Sequence, residues 1–284
     1  MEISILGRLV LRDDHGNAVV QTYGGPHLVP ALICILALKD GAWSGPELKT
    51  LLWEHDRDLT SSWTSLTRRA RLVLPDRRLE TERGKVPPHY RLKRLRGDVF
   101  DVADFRTAMA HATRSHKAGD LRAAANSYGA ALRLWRSDGS EPLLPDFPET
   151  YAMRQNEHYV DLLREYQSAT EGYAETRLEL GEHSVELADC LHGLITRQPG
   201  NTRLHLLRMI ILYRLGRKGE ALRAHHEAQA MFDHHFEAAP PPVLDHVREQ
   251  IARDDPRLWT TREYRAWTTP AATGASNNRP PPHR

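Results

Sequence analysis

Hydrophobic and polar residues alternate through ISILGRLVLRDDHGNAVVQTY, on both sides of the polar stretch DDHGN. Alternation with a period of two is typical of a half-buried strand, and a His-Gly-Asn centre suits a tight reversal of the chain. The pattern therefore predicts an N-terminal β-hairpin that turns at residues 13–17.

Three helical patterns and a second hairpin follow. Residues 27–39 predict an apolar helix, residues 44–53 a short helix with Pro46 in its first turn, and residues 57–74 a third helix. Residues 77–93, RRLETERGKVPPHYRLK, are strand-like at both ends around a Gly-Lys turn with two prolines. A hairpin, three helices and a further hairpin, in this order, predict a winged helix-turn-helix.

From Phe100 onward helical periodicity replaces the strand pattern. Gly119, Gly181 and Gly216 each precede an amphipathic helix, and the last two are 35 residues apart, close to the ~34-residue period of tetratricopeptide repeats. The sequence thus predicts a mainly α fold with a small β component. We expect a winged helix-turn-helix over residues 1–97, a tetratricopeptide-like helical domain over 98–256 and a disordered tail over 257–284.

The predicted third helix is apolar on one side and basic with many hydroxyls on the other. The side expected to face a core carries Leu59, Trp63, Leu66, Ala70 and Val73. Arginine and lysine bond phosphates or guanine edges, and short hydroxyl side chains allow close approach to bases. The residues predicted to contact DNA, from this helix and the second hairpin, are Arg57, Ser61, Thr64, Ser65, Arg68, Arg69, Arg71, Arg83, Lys85 and Arg91. A solvated helix shows a similar face, so this pattern by itself leaves both interpretations open.

Charge is unevenly distributed along the chain. Residues 1–97 hold 16 Lys/Arg against 11 Asp/Glu, a net charge of +5, whereas residues 98–256 hold 18 against 25, a net charge of −7. A basic first part can hold DNA while an acidic helical part remains available to protein partners.

Other classes of function lack supporting motifs. The sequence contains no Walker loop, dinucleotide fingerprint, nucleophile elbow or CxxC pair, so we expect neither an enzyme nor a cofactor. We also expect no metal site, because His225-His226 and His234-His235 are adjacent pairs whose side chains diverge by about 100° on a helix. Two cysteines, no signal peptide and no apolar run near the ~20 residues of a membrane span predict a cytoplasmic protein without membrane contact.

The order of several phrases resembles the antibiotic regulatory protein family of actinomycetes over roughly residues 1–256. These phrases are the opening ISILGRLVLRDDHG, Leu52-Trp53 at the end of the second helix, Arg69-Ala70-Arg71, Tyr90-Arg91-Leu92 and the joining phrase FDVADF. The segments LELGEHSVEL and LYRLGRKGEALRAH look like the repeat motifs of that family. The resemblance implies a winged helix of the OmpR type followed by a bacterial transcriptional activation domain.

Members of that family activate secondary-metabolite gene clusters. The resemblance implies that the third helix enters the major groove at direct repeats in a promoter, with the wing at the adjacent minor groove. It further implies that two protomers bind side by side and recruit RNA polymerase through contacts that include its sigma factor.

The chain departs from the family pattern in both predicted domains. The family usually has a branched apolar residue at position 67 and a leucine at position 70, a basic residue at 72 and a glycine at 89, where this chain has Thr67, Ala70, Leu72 and His89. The segment HFEAAPPP replaces a Glu-Leu-Gly-x-x-Pro phrase of the family. These departures favour an alternative, in which a helical-repeat protein serves in protein interaction or ligand sensing and keeps a degenerate winged helix. A continuous positive face would favour DNA binding, and one interrupted by Glu80, Glu82 and Asp58 would favour the alternative.

Overall fold

The computed structural model describes residues 1–19, 28–53, 60–74, 76–82, 84–136 and 143–259. Across these ranges the chain is mainly helical with short strands, which confirms the predicted fold class at that level. Two compact units, Met1–Tyr173 and Ala174–Arg284, divide the chain inside the predicted helical domain. The boundary expected between residues 97 and 98 stays a prediction.

The first unit begins with two successive reversals of the chain, of which only the second was predicted. Strand β1 (Glu2–Ser4) pairs antiparallel with β2 (Val10–Arg12), with Ile3 opposite Leu11, so the reversal lies at residues 5–9. The turn predicted at residues 13–17 is also present: Arg12 and Ala18 form an antiparallel bridge, and the Val19 amide donates to the Leu11 carbonyl at 2.9 Å. The rest of the predicted second strand, from residue 20 on, lies outside the described residues. The strand stops at Ser4 because the next two amides donate to the buried Asp101 carboxylate, at 2.9 and 2.8 Å, and not to a neighbouring strand.

Three helices follow, close to the predicted positions. Helix α1 (Leu28–Ala37) is buried over most of its length. Strand β3 (Trp43–Ser44) leads into α2 (Gly45–Leu52), whose first turn is capped by the Ser44 hydroxyl accepting from the Glu47 amide at 3.3 Å. Helix α3 covers Thr60–Val73.

The second hairpin forms as predicted, but its sheet has a third strand. Strands β4 (Leu79–Glu82) and β5 (His89–Leu92) pair antiparallel, and β3 pairs with the other edge of β5 to give the order β3-β5-β4. Strand β6 (Val99–Phe100) then runs parallel to β1 and completes the first sheet in the order β2-β1-β6. Strands of two residues have no readable period, so neither β3 nor β6 was predicted.

Four helices complete the first unit: α4 (Asp101–Lys117), α5 (Leu121–Arg133), α6 (Tyr151–Arg154) and α7 (Glu157–Glu179), the last of which runs on into the second unit. The buried Thr150 hydroxyl donates to the Leu51 carbonyl at 2.7 Å, which ties α6 to the end of α2. Trp43 lies edge-on to His158 of α7, with ring centroids 5.6 Å apart. The first three helices and the later ones therefore share one continuous hydrophobic core.

The second unit consists of helical hairpins. Helices α8 (Val185–Arg197), α9 (Thr202–Arg214), α10 (Lys218–Phe236) and α11 (Pro242–Ala252) pack in sequence, and a 3-10 turn (Pro256–Trp259) follows. The buried Arg214 guanidinium donates to the carbonyls of Leu178 and Leu258, at 2.8 and 2.9 Å. Of the tail predicted to be disordered, residues 257–259 belong to this turn, and residues 260–284 lie outside the described residues.

Candidate nucleic-acid interface

Helix α3 is held by a stripe of buried side chains. Trp63, Leu66, Ala70 and Val73 are buried as the periodicity predicted, and Leu59 lies outside the described residues. The Trp63 indole N–H donates to the Tyr90 hydroxyl of β5 at 3.0 Å, and the two rings meet edge-on. This contact fixes the orientation of α3 relative to the second hairpin.

The two small core residues of α3 are also well packed. Thr67 is 5% exposed and Ala70 is fully buried. The Thr67 hydroxyl donates within its own helix to the carbonyls of Trp63 and Thr64, at 3.0 and 3.1 Å, so no polar group is left unsatisfied there. The core side of α3 thus remains shielded from solvent despite the threonine and the alanine at these positions.

The outward side of α3 carries the residues predicted to contact DNA. All of those on the described part of the helix are exposed: Ser61, Thr64, Ser65, Arg68, Arg69 and Arg71. At about 100° per residue, Ser61, Arg68 and Leu72 lie opposite the buried stripe and form the crest of the helix. Leu72 is 76% exposed, so the crest is not uniformly polar. Residues 60–74 contain no acidic side chain.

The three arginines of α3 have different surroundings. Arg68 lies on the crest with no acidic partner among the described residues. Arg71 lies on the hairpin side, where it donates to the Thr81 hydroxyl at 2.9 Å and lines a cleft of about 660 Å³. Arg69 lies on the opposite flank and lines a cavity of about 490 Å³ beside the start of α1. Arg68 is therefore the arginine best placed to meet a surface presented to the helix.

The cations of the second hairpin are paired with carboxylates. Lys85 lies 2.6 Å from Glu82, and Arg91 lies 2.8 Å and Lys93 3.3 Å from Glu80. The Arg91 guanidinium lowers the pKa of Glu80, and the Lys85 ammonium lowers the pKa of Glu82. Both acids thus carry charge at neutral pH, and they offset two of the three positive charges of Lys85, Arg91 and Lys93.

The predicted positive face is consequently uneven. It is positive along α3 and interrupted at the hairpin by Glu80 and Glu82. Three residues of the expectation, Arg57, Asp58 and Arg83, lie outside the described residues. The structure brings the six residues of α3 onto one side, and it places Lys85 and Arg91 in ion pairs.

Sequence reasoning missed the side chains that join the first hairpin to residues later in the chain. The Asp101 carboxylate accepts from two amides of the first hairpin and from Arg136 at 3.0 Å, and Asp146 accepts from the Leu9 amide at 2.6 Å. Burial raises the pKa of Asp101, although its hydrogen bonds oppose that shift. The phrase FDVADF, which contains Asp101, was the only signal of this joint in the sequence.

The histidine pairs considered as metal ligands have other contacts. The buried His225 ring lies 2.8 Å from Asp245, and His234 packs edge-on against its neighbour His235. No group of three or more side chains of the metal-binding types occurs in the part of the chain that the structure describes. Within the same ranges, no helix has the length and apolar character needed to cross a membrane.

Comparison with known proteins identifies the helical region. The family profile described as "Bacterial transcriptional activator domain" matches residues 100–252. The regulatory protein AfsR of Streptomyces coelicolor is 28% identical over 251 residues, which cover 86% of this chain and 23% of AfsR. The regulatory protein DnrI of Streptomyces peucetius is 29% identical over 159 residues, which cover 56% of each protein. This chain thus spans about a quarter of AfsR and just over half of DnrI.

A solved structure has a similar fold. The structure of Mycobacterium tuberculosis EmbR in complex with a low affinity phosphopeptide matches with a TM-score of 0.67 at 21% sequence identity. The match covers 94% of this chain and 68% of EmbR. Because the family profile spans more than half of the 284 residues, this chain belongs to the bacterial transcriptional activator domain family.

Proposed function

We propose that this protein is a sequence-specific DNA-binding transcriptional activator of a secondary-metabolite gene cluster. In this proposal residues 1–97 act as a winged helix-turn-helix, with α3 as the helix that enters the major groove and β4–β5 as the wing. The observation that carries the proposal is the outward side of α3, which presents arginines and hydroxyls with no acidic residue on the helix.

The chemistry of this side suits a DNA groove. Arg68 can donate to a phosphate or to the O6 and N7 of guanine, and Ser61 and Ser65 can approach base edges because their side chains are short. The Trp63–Tyr90 hydrogen bond and the Arg71–Thr81 hydrogen bond hold α3 and the hairpin in a fixed relation. Such a relation is what simultaneous contact with a groove and its flanking phosphates requires.

The proposed partners follow from the family. We infer that two protomers bind side by side at direct repeats in a promoter and that residues 98–256 contact RNA polymerase, including its sigma factor. The net charge of −7 over those residues supports a protein partner over nucleic acid for the helical part.

A titration of labelled fragments from the promoters beside its gene, at two salt concentrations and with unlabelled competitor DNA, tests the proposal. We expect one fragment to bind at least tenfold more tightly than a control duplex of equal length, because base contacts add to the phosphate term. Equal affinity for every fragment and for the control duplex would refute sequence-specific binding.

A second function has one observation in its favour. The ion pairs of Lys85, Arg91 and Lys93 with Glu80 and Glu82 reduce the positive charge of the hairpin, as expected for a helical-repeat interaction or ligand-sensing protein with a degenerate winged helix. The closed core at Thr67 and Ala70 argues against degeneration of α3 itself. The same titration separates the two functions.

A further inference from the structure

Glu80 occupies a central position among the cations of the hairpin. One of its oxygens, Oε2, accepts from the Nε and Nη2 atoms of Arg91 at 2.9 and 2.8 Å. The other, Oε1, lies 3.3 Å from the Lys93 ammonium. One carboxylate therefore engages two half-exposed cations of the hairpin.

The register of the sheet builds in this arrangement. Glu80 of β4 lies directly opposite Arg91 of β5 in the antiparallel ladder. Side chains at opposed positions of neighbouring strands lie close together, and opposite charges there attract. The backbone hydrogen bonds of the two strands therefore bring the Glu80 and Arg91 side chains together.

Glu80 also lines the cleft between α3 and the hairpin. Three arginines and two further acids line the same cleft of about 660 Å³: Arg71, Arg77, Arg91, Asp76 and Glu82. Of the acids, Glu80 is the one that bonds Arg91. A phosphate that approached these guanidinium groups would meet the Glu80 carboxylate at short range, and like charges repel. The phosphate and Glu80 are therefore competitors for Arg91, and displacement of Glu80 would also release Lys93.

We propose that Glu80 limits the DNA affinity of this protein by keeping Arg91 and Lys93 on the hairpin and away from DNA phosphates. This inference rests on the proposed DNA-binding function and refines it. The arginines of α3 then supply most of the phosphate contacts, and the hairpin adds its own only where Glu80 is displaced. The acid at position 80 becomes a determinant of affinity and of its dependence on salt.

Glu80→Gln tests this inference, because glutamine has nearly the same size and keeps an acceptor but removes the charge. We expect the variant to bind a labelled mixed-sequence duplex several-fold more tightly at low salt. Each cation transferred to a phosphate steepens the slope of log K against log salt by about 0.9, so the slope should steepen by about 1 to 2. Circular dichroism spectra should match those of the wild-type protein.

Arg91→Ala, made in both backgrounds, tests where Arg91 lies. In the wild-type background we expect the salt slope to stay unchanged, because Arg91 remains on Glu80. In the Glu80→Gln background the same substitution should reduce the slope by about one. A loss of about one in the wild-type background would place Arg91 on a phosphate already and would overturn the inference.

Glu165→Gln is the matched control, since it also removes one carboxylate and one ion pair, with Arg106 on α4, and lies away from the hairpin. We expect its affinity and slope to equal those of the wild-type protein. If the wild-type protein binds DNA and Glu80→Gln behaves like Glu165→Gln, the inference fails and the proposed function stands. If the wild-type protein binds no DNA, the proposed function and the inference fail together.

Discussion

The exposed residues of α3 share one side of the helix, but their hydrogen-bond partners differ. Periodicity predicted which side of the helix each one occupies, and the described residues agree with it. It could not distinguish Arg68 from Arg71, because the difference lies in Thr81, a partner ten positions away on another element. The pairing of Arg91 with Glu80 likewise could not be predicted without knowledge of which residues of β4 and β5 lie opposite each other.

Ala70 offers a test of the core beneath these residues. Ala70 is fully buried, and the sequence resemblance leads us to expect a leucine at this position in related proteins. We expect Ala70→Leu to lower the free energy of unfolding by about 1–3 kcal/mol, because added methylenes overpack a filled site. Urea unfolding followed by far-UV circular dichroism measures the change.

Ser65→Leu controls for the addition of a leucine to the exposed side of the same helix, and it should change stability by less than about 0.5 kcal/mol. A gain in stability from Ala70→Leu would reveal an underfilled core and would favour the degenerate alternative for α3.

At the scale of elements, the contacts between strands and distant helices were the least predictable feature. The first hairpin turns at residues 5–9 because Asp101 and Asp146, from later in the chain, bind its amides. Local alternation predicted the reversal at DDHGN, which is present, but it carries no information about such partners, so it did not predict the reversal at residues 5–9. By contrast, the bounds of α1, α2 and the second hairpin depend on local signals and were largely predictable.

Gly7 lies in the reversal at residues 5–9, where the first hairpin approaches Arg136, and substitutions there test how closely the two segments pack. Its φ is +108°, and a Cβ atom there would lie 2.8 Å from the Arg136 carbonyl oxygen. Gly16 also has a positive φ, +79°, but no atom within 4 Å of a Cβ. Gly16→Ala should therefore cost about 1 kcal/mol for conformation alone, and Gly7→Ala at least about 2 kcal/mol more because backbone must move.

Denaturant midpoints of the two glycine variants, measured side by side, give this difference. Equal destabilisation by both substitutions would show that the approach of residue 136 to the first hairpin is not rigid.

The buried ion pair between Arg78 and Asp98, which lies between the second hairpin and β6, should make the stability of the protein depend on pH. Arg78 donates to Asp98 at 2.9 Å, and both side chains are almost fully buried. Burial opposes ionisation of Asp98, but hydrogen bonds from Arg78 and the Leu95 amide prevail and lower its pKa from 3.8 to about 2. A carboxyl group with a lowered pKa stabilises the folded state above its unfolded pKa, and this contribution is lost as the pH falls from 3.8 towards 2.

Unfolding at a series of pH values should therefore show a steeper loss of stability below about pH 4 for the wild-type protein than for Asp98→Asn. Asp189→Asn, at an exposed position, should keep the wild-type dependence. Parallel curves for wild type and Asp98→Asn would exclude Asp98 as the source.

At the scale of the whole molecule, the charge distribution and the family match both distinguish the first hundred residues from the helical part that follows. Residues 1–97 carry a net charge of +5 and residues 98–256 a net charge of −7, and the family profile matches residues 100–252. A chain with this division can concentrate DNA contacts at one end and protein contacts along the helices. The sequence revealed the division, but only the structure separated Arg68 from the cations that carboxylates neutralise.

The most direct test of the central claim is the salt dependence of DNA binding by Arg68→Ala. Arg164→Ala is its control, since Arg164 is an exposed arginine on α7 and the substitution removes the same charge. We expect Arg68→Ala to weaken binding to every duplex and to reduce the salt slope by about one, while Arg164→Ala leaves both unchanged. If Arg68→Ala binds with the affinity and slope of the wild-type protein, the crest of α3 does not meet DNA and the account is wrong.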